Sequence, residues 1–245
     1  MRVTRKYGLI GKGISYSRSP EIWQELWQKE GVGDCSFEII DTDNPQSIIQ
    51  QFRLDPSWYG LMVTTPYKET VLPLLDTLSI EAQEVGAVNA IAKSNGSLIG
   101  YNTDIAGFLA PLEGYLLEGN ALVLGSGGAS KAVRYALKSI GMNVAIVSRS
   151  PREGELSYNE VTTSYLASTR IIVNATPLGG PLFPDRCPDI PYSALTDKHI
   201  LYDLSYLPPL RFLSVAPATC IKINGEDMLR AQAGVANGIF QRLGK

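Results

Sequence analysis

Short apolar runs alternate with amphipathic stretches along the first hundred residues of the chain. The apolar runs predict strands, and apolar residues recurring every three or four positions predict helices. The predicted strands are residues 7–10, 37–40, 60–63, 87–91 and 98–100, and the predicted helices are residues 19–30, 45–52 and 81–85. Asn95-Gly96 is typical of a hairpin turn between the last two strands. Strands separated by helices predict a largely parallel sheet covered on both faces.

A second unit of the same kind begins at Asp104. Its predicted strands are residues 121–124, 143–147, 170–173, 200–203 and 220–223. Its predicted helices are residues 105–117, interrupted by Pro111 and Gly114, and an apolar helix that follows the turn at 125–130 and runs to Ile140. The tail from residue 226 to 245 has a helical pattern. We therefore expect an α/β protein with two domains, residues 1–103 and 104–225, and a C-terminal helix over 226–245.

One predicted helix carries a lysine in an unusual place. Thr65 followed by Pro66 is typical of a helix start, with a hydroxyl N-cap and then proline at the first helical position. Lys68 would lie in the first turn, where the positive end of the helix dipole disfavours its ammonium form. A lysine that gives up a proton readily suits proton transfer near neutral pH. A solvated first-turn lysine is the alternative.

Composition and charge describe an ordinary globular protein. Its 245 residues are 44% hydrophobic and 19% charged, enough apolar material for two cores. The net charge of -2 provides no general attraction to nucleic acid or to an anionic membrane. Neither a secretory signal nor an apolar run of about 18 residues is present. We expect neither nucleic acid nor a membrane as a partner.

The cysteine and histidine content indicates the cellular compartment and limits the kinds of active site that the chain can form. The three cysteines are scattered and lack CxxC spacing, which is typical of reduced thiols in a cytoplasmic protein. His199 is the single histidine, so a multi-histidine metal centre is excluded. We expect no metal.

A glycine-rich turn lies between an apolar strand and an apolar helix. Glycines allow the backbone to approach a pyrophosphate, and the helix N-terminus supplies N–H groups. The turn is Gly125, Ser126, Gly127, Gly128, Ala129 and Ser130, with serine at the third glycine position. This arrangement predicts dinucleotide binding, and a tight turn without a ligand is the alternative.

The next strand end favours NADP over NAD. An NAD site usually has an acid there for the ribose 2′-hydroxyl. This chain instead has Ser148, Arg149 and Ser150, with Arg152 following. Arginine and serine suit a 2′-phosphate, although a solvated surface arginine is the alternative.

Small polar residues form the candidate substrate site. Ser17 and Ser19, at the start of the first predicted helix, could hold a carboxylate. Ser19 before Pro20 could equally be a plain N-cap. Asn89 and the segment 102–104 could bind vicinal hydroxyls, or could simply form turns.

Taken in order, these motifs resemble the shikimate dehydrogenase family over nearly the whole chain. The matching segments are residues 7–11, 17–20, 63–68, 86–89, 100–104, 125–130, 174–179, 202–206 and 225–232. The resemblance implies a substrate domain, a Rossmann-like NADP domain, and a C-terminal helix that returns to the first domain.

The resemblance also implies a role for each residue. Lys68 and Asp104 would be the acid/base pair. The implied substrate ligands are Ser17, Ser19, Thr64, Asn89, Asp104, Tyr206 and Gln232. The implied cofactor contacts are Gly125, Ser126, Gly127, Gly128, Ala129, Ser148, Arg149, Ser150, Arg152, Asn174, Thr176 and Gly225.

The implied reaction is the reversible reduction of 3-dehydroshikimate to shikimate with NADPH, a step of aromatic amino-acid biosynthesis. The chain departs from the family pattern at Met62, where asparagine is usual, and at Asn237, where an aromatic residue is usual. The Asn-Arg-Thr cofactor motif reads Ser148-Arg149-Ser150, and the threonine usual after Tyr206 is absent. The alternatives are a quinate/shikimate-type dehydrogenase with altered substrate or NAD preference, and a non-catalytic dinucleotide-binding homologue.

Overall fold

The computed structural model describes residues 5–243 and contains two β-sheets with helices between their strands. The strands are β1 (Arg5–Gly11), β2 (Cys35–Asp41), β3 (Trp58–Val63), β4 (Thr77–Leu78), β5 (Ala90–Ser94), β6 (Ser97–Tyr101), β7 (Asn120–Leu124), β8 (Asn143–Val147), β9 (Thr169–Asn174), β10 (Ile200–Asp203) and β11 (Ile221–Ile223). The α-helices are α1 (Ser19–Glu30), α2 (Pro45–Leu54), α3 (Ile80–Val85), α4 (Asp104–Leu109), α5 (Gly128–Ser139), α6 (Thr163–Ala167), α7 (Arg211–Ser214) and α8 (Glu226–Leu243).

The chain divides into two compact units. The first consists of the described residues up to Gly107 together with those from Leu229 onward, and the second is Phe108–Met228. The division lies four residues after the boundary expected at 103/104. Residues 1–4, part of the basic start, and the last two residues of the predicted C-terminal helix lie outside the described range.

The sheet of the first unit is mixed. Its strand order is β2-β1-β3-β5-β6-β4. β1 runs parallel to β2 and β3, whereas β5 is antiparallel to both β3 and β6. Asn95 and Gly96 form the predicted hairpin turn, with Ser94 opposite Ser97. The hairpin places the ends of β3 and β6 and the start of β5 at the same edge of the sheet.

Helix α8 packs on this first sheet through an aromatic core. The Phe240 ring lies over Gly60, where a Cβ would come within 2.2 Å of it. Phe240 also stacks on Trp23 of α1, with ring centroids 5.8 Å apart. The predicted return of the C-terminal helix to the first domain is confirmed.

The second unit is a fully parallel sheet in the order β11-β10-β9-β7-β8. Its central strands are near-continuous apolar runs, as expected for strands buried on both faces. Leu122, Ile172 and Leu201 are fully buried in its core. The order reverses direction at β7, so the β7–α5 turn lies at a topological switch point, where α/β proteins bind ligands. The predicted α/β fold is confirmed.

The predicted helix around Lys68 is wrong. Thr65 and Pro66 lie in a turn, and the segment after β3 forms consecutive turns, with only a 3₁₀ turn at Leu72–Leu74. The Lys68 carbonyl accepts a hydrogen bond from the Val88 N–H at 2.8 Å, so it is not used in a helical ladder. The helix-dipole argument for Lys68 therefore does not apply.

Two further elements have other bounds than expected. The helix over 105–117 is interrupted before Pro111, as predicted: α4 ends at Leu109 and a 3₁₀ turn continues to Leu112, because Pro111 has no N–H for the next helical bond. Residues 113–117 do not resume the helix. The strand predicted from residue 87 begins at Ala90. Residues 87 and 88 instead form a loop to which other segments hydrogen-bond.

The helices of the described residues include none that is both long enough and apolar enough to cross a bilayer. Residues 5–243 contain no group of three or more histidine, cysteine, aspartate or glutamate side chains placed to hold a metal ion.

Candidate active site

A buried ion pair joins Lys68 to Asp104. Lys68 lies in the turns that follow β3, and Asp104 is the first residue of α4. The ammonium Nζ lies 2.6 Å from Asp104 Oδ2, and the two side chains are 17% and 8% exposed. The carboxylate stabilises the ammonium and directs it, so Lys68 can act as a positioned proton donor.

The Asn89 side chain holds the second oxygen of Asp104. Its Oδ1 accepts from the Thr103 backbone N–H at 2.7 Å. A backbone N–H can only donate, so this contact determines which way the amide faces. Nδ2 then donates to Asp104 Oδ1 and to Thr103 Oγ1, both at 2.9 Å. Asp104 is thus oriented from both of its oxygens.

Gln232 of α8 reaches the same cluster. Its Nε2 donates to the Leu229 carbonyl at 2.9 Å. Its Oε1 lies 3.4 Å from Thr103 Oγ1 and 3.5 Å from Asn89 Nδ2. The structure therefore brings together four predicted residues, namely Lys68, Asn89, Asp104 and Gln232.

Two residues of the cluster, Asn102 and Thr103, were predicted only as hydroxyl ligands or turn formers, and their role in orienting the other side chains was missed. Thr103 is 2% exposed and links Asn89 to Gln232 through its hydroxyl. Asn102 donates to the Ala87 carbonyl at 3.0 Å and accepts from the Asp104 N–H at 3.2 Å. The signal in the sequence is a run of three polar residues directly after an apolar strand, which we interpreted as ligands or turn formers rather than as mutual supports.

Ser17 and Ser19 lie together at the start of α1. Ser17 Oγ donates to Ser19 Oγ at 3.0 Å and accepts from the Ser19 N–H at 3.3 Å. Ser19 is the first helical residue, Arg18 occupies the N-cap position, and no side chain caps the helix. The plain N-cap alternative for Ser19 is therefore wrong, and both hydroxyls remain beside an uncapped helix N-terminus.

The loop that carries the two serines is anchored by Asp41 at the end of β2. The Asp41 carboxylate accepts from the Gly13 N–H at 3.0 Å and the Ile14 N–H at 3.2 Å. The Ile14 carbonyl in turn accepts from the Ser17 N–H at 2.9 Å. This anchor was also missed, because an isolated acid at a strand end has no distinctive sequence pattern.

Thr64 lies between the serine loop and the Lys68 turn. Its N–H donates to the Ile10 carbonyl and its carbonyl accepts from the Tyr67 N–H, both at 2.9 Å. A Cβ on Gly11 would come within 2.7 Å of the Thr64 methyl group, so glycine is needed for this approach. Met62 is 4% exposed and packs in the apolar core of the first unit.

A second buried lysine provides a contrast. Lys93 donates to the Phe52 and Asp55 carbonyls at 2.9 and 2.7 Å. Burial lowers the pKa of Lys93, and the charge of Asp55 opposes this shift. Because its donors are used by backbone carbonyls, Lys93 stabilises the fold and is not a candidate acid.

The glycine-rich turn of the second unit is shaped for a phosphate group. Gly125 has a φ of +106°, and its Cβ would lie 3.0 Å from the Thr176 methyl group. Gly127 is the N-cap of α5, no side chain caps this helix, and a Cβ at Gly127 would meet no atom within 4 Å. An open, uncapped helix N-terminus fits a pyrophosphate.

The strand end predicted to select NADP lies beside this turn. The Ser126 and Ser148 hydroxyl oxygens are 3.2 Å apart, and Ser148 Oγ accepts from the Ser150 N–H at 3.3 Å. Arg149 and Arg152 are exposed. Burial raises the pKa of Tyr158, and the positive charge of Arg149 partly offsets that shift. No carboxylate occupies residues 148–152, so the donor set fits a 2′-phosphate.

The remaining predicted cofactor residues, Asn174, Thr176 and Gly225, lie at or just after the carboxyl ends of β9 and β11. Asn174 Oδ1 accepts from the Thr176 N–H and hydroxyl at 3.1 and 2.7 Å. Asp203 Oδ1 accepts from Asn174 Nδ2 at 3.2 Å and from the Ser205 N–H at 3.0 Å. The Ser205 carbonyl accepts from the Gly225 N–H at 3.0 Å.

Tyr206 is the one predicted substrate residue outside the first unit. It lies in the loop after β10, within Phe108–Met228, and is half-buried. The other predicted substrate ligands all belong to the first unit.

Comparisons with known proteins agree on one family. The profile of a family described as the shikimate dehydrogenase substrate binding domain matches residues 9–91. A shikimate dehydrogenase (NADP(+)) from Clostridium botulinum strain 657 is 36% identical over 248 residues, covering 95% of each chain. One from Salinibacter ruber is 37% identical over 264 residues, covering 95% of this chain and 90% of its own.

A solved structure is similar across both units. It is a shikimate 5-dehydrogenase from Thermus thermophilus in complex with NADP(H) and shikimate. Its TM-score is 0.84 at 30% sequence identity, and the match covers 97% of this chain and 94% of that one.

Proposed function

The chain belongs to the shikimate dehydrogenase family, and we propose that it catalyses the reversible, NADPH-dependent reduction of 3-dehydroshikimate to shikimate. The observation that carries this proposal is the buried Lys68–Asp104 pair, held by Asn89 and joined by Gln232 from the C-terminal helix. A non-catalytic dinucleotide-binding protein would have no use for a buried ammonium oriented in this way.

Substrate binding is assigned to the first unit. Ser17 and Ser19 donate hydroxyl hydrogen bonds to the ring carboxylate at the N-terminus of α1. Thr64, Asn89 and Gln232 bind the ring hydroxyls together with Asp104. Tyr206 is a further proposed substrate ligand.

Proton transfer is assigned to Lys68. In the reducing direction its ammonium donates a proton to the oxygen of the substrate carbonyl as negative charge develops there, and it becomes a neutral amine. Asp104 orients Nζ and stabilises its charge. In the reverse direction the amine takes the hydroxyl proton. A positioned acid of this kind typically contributes about 10²–10⁴-fold in rate.

Cofactor binding is assigned to the second unit. When bound, NADPH supplies the hydride for the substrate carbonyl carbon. The turn from Gly125 to Ala129 holds the pyrophosphate, and Ser148, Arg149, Ser150 and Arg152 hold the 2′-phosphate. Asn174, Thr176 and Gly225 would be further contacts of the cofactor. We propose residues 1–103 with the C-terminal helix as the substrate domain and residues 104–225 as the cofactor domain, with Asp104, the first residue after the boundary, serving the substrate site.

We also propose that the enzyme works in the cytoplasm as a monomer or homodimer, with these small molecules as its ligands. Cys35, Cys187 and Cys220 are all free thiols, which suits a reducing compartment. Sedimentation of the purified chain distinguishes the two oligomeric states.

A spectrophotometric assay tests the reaction. Comparing kcat/KM for shikimate and quinate, each with NADP and NAD, should give the highest value for shikimate with NADP. A preference for quinate would reassign the substrate, and a preference for NAD would reassign the cofactor. Tight NADPH binding without turnover of any combination would support a binding protein and overturn the proposal.

A further inference from the structure

Helix α8 is held against α1 by a buried amide. Asn237 is 1% exposed. Its Oδ1 accepts from Trp27 Nε1 at 3.2 Å, and its Nδ2 donates to Glu30 Oε2 at 2.7 Å. A buried amide costs free energy unless both its donor and its acceptor are bonded. Asn237 therefore favours the one placement of α8 on α1 that brings both partners within reach.

Apart from an exposed hydrogen bond from Gln241 to Glu30, the other contacts between these helices are less directional. Phe240 stacks on Trp23, and burial of aromatic surface tolerates small sliding movements. The ion pair between Arg230 and Glu25 is exposed, and exposed pairs contribute little. A single buried polar contact can select one register from several that the apolar contacts allow.

Gln232 lies on the same helix, five residues before Asn237. Each residue of an α-helix adds about 1.5 Å of rise and about 100° of rotation. A slip of one residue would therefore turn Gln232 away from Asn89 and Thr103. Its two contacts with them, at 3.5 and 3.4 Å, are already near the limit for hydrogen bonds, so they would be lost on a small movement.

We propose that Asn237 is a positioning residue for substrate binding. Its bonds to Trp27 and Glu30 set the rotation of α8 and so hold the Gln232 amide at the ring-hydroxyl site. The proposal rests on the function assigned above. It gives a structural role to a position where the family pattern has an aromatic residue.

Asn237→Leu removes both hydrogen bonds at similar side-chain volume. KM for shikimate should rise about three- to tenfold, the effect expected when one hydrogen bond to the substrate is weakened, and kcat should stay nearly unchanged. The matched control is Gln241→Leu, because Gln241 also donates to Glu30, at 3.0 Å, but in a hydrogen bond that is exposed to solvent. Its KM should equal that of the wild type.

A double-mutant cycle separates positioning from general destabilisation. If Asn237 acts through Gln232, then Asn237→Leu should have no further effect on kcat/KM in a Gln232→Ala background. If Asn237→Leu lowered kcat/KM by the same factor in the wild-type and the Gln232→Ala backgrounds, the proposal would be overturned. Trp27→Phe removes the hydrogen bond from Trp27 Nε1 to Asn237 by changing the residue on α1, and it should raise KM similarly. This variant provides a second test if Asn237→Leu folds poorly.

Amide hydrogen exchange provides a measurement without substrate. Exchange of residues 229–233 should be faster in Asn237→Leu than in Gln241→Leu, because loss of the anchor loosens α8. A wild-type chain inactive on shikimate would overturn the proposed function, and the exchange comparison would still test the positioning. Equal exchange in the two variants, or an unchanged KM in Asn237→Leu, would overturn the positioning.

Discussion

Lys68 Nζ and Asp104 Oδ2 lie 2.6 Å apart although the two residues are separated by 36 positions in the chain. Lys68 follows a strand and Asp104 begins a helix, so their meeting depends on how β3 and β6 end at the same edge of one sheet. The pair is mostly shielded from water, which makes the charge interaction stronger and its geometry more definite than in an exposed pair.

Replacing the lysine tests its role as the acid. Lys68→Ala should lower kcat by about 10²–10⁴-fold and leave KM for shikimate almost unchanged, because the proton donor is lost while the substrate ligands remain. Steady-state shikimate oxidation measures both constants. The control is Lys12→Ala, an exposed lysine paired with Asp43, which should behave as the wild type. Near-normal turnover by Lys68→Ala would exclude the role.

The Thr103 hydroxyl is expected to orient the amides of Asn89 and Gln232. Thr103→Val keeps the shape of the side chain but leaves both amides with an unsatisfied partner, so kcat/KM should fall about 10- to 100-fold. Thr103→Ser should restore most of the activity. Thr169→Val is a matched control, since Thr169 is also buried and its hydroxyl donates to the Tyr165 carbonyl in the second unit. Equal losses in the two valine variants would argue against a specific role for Thr103.

Arg149 is expected to discriminate between the two cofactors. Arg149→Ala should lower kcat/KM with NADPH about 10- to 100-fold, because a charge-assisted hydrogen bond to the 2′-phosphate is lost. Activity with NADH should change little, since NADH has no 2′-phosphate. Arg53→Ala, which removes an arginine paired with Asp76 in the first unit, should leave the NADPH/NADH ratio unaltered. A parallel fall with both cofactors would contradict the assignment.

Asp203 is expected to destabilise the folded chain as the pH rises. Burial raises the pKa of Asp203 to about 6, against the lowering effects of its bonds from Ser205 and Asn174. The folded state then binds the proton more tightly than the unfolded state, so ionisation of Asp203 lowers the free energy of unfolding. This loss is absent below the unfolded pKa, near 4, and complete above about 6. It should reach on the order of 2–3 kcal/mol.

The Asp203→Asn variant, neutral at every pH, measures this loss. The difference in unfolding free energy between variant and wild type should be smallest near pH 4 and should rise in favour of the variant towards pH 7. Carboxylates with lowered pKa, such as Asp55 and Asp76, are present in both proteins and cancel in the difference. A difference that does not change with pH would exclude a titrating Asp203.

Gly60 is expected to be required for the docking of α8. Gly60→Ala would put a Cβ within 2.2 Å of the Phe240 ring and should lower the unfolding free energy by about 1–3 kcal/mol, or more. Gly234→Ala, on α8 itself, is the control. A Cβ at this position would meet no atom within 4 Å, and alanine has a higher helix propensity than glycine. Thermal unfolding should show a lower Tm for the first variant and a Tm that is equal or higher for the second.

Local patterns were enough to predict most of the regular structure. β8 was predicted at its observed bounds, Asn143–Val147, and α1 at Ser19–Glu30. Both predictions depend only on residues close together in the sequence, namely the apolar run of the strand, the helical spacing of apolar residues in α1 and Gly31 at the end of that helix. The ordered motifs also identified the family and, through it, the chemistry. The error at Lys68 arose because a Thr-Pro pair is only a local signal, and the Val88 N–H, which binds the Lys68 carbonyl, comes from a different segment.

The arrangement of the active site required the tertiary structure. Asn89 meets Gln232 across 143 positions, and Trp27 meets Asn237 across 210. Such pairs cannot be predicted from local propensity, because each depends on how whole helices and strands pack. That packing is determined by many weak contacts between residues that are distant in the sequence. The sequence therefore determines which functional groups are present in the chain. The tertiary packing determines which of these groups lie close together, and which of them, such as the Lys93 ammonium, only bind backbone carbonyls.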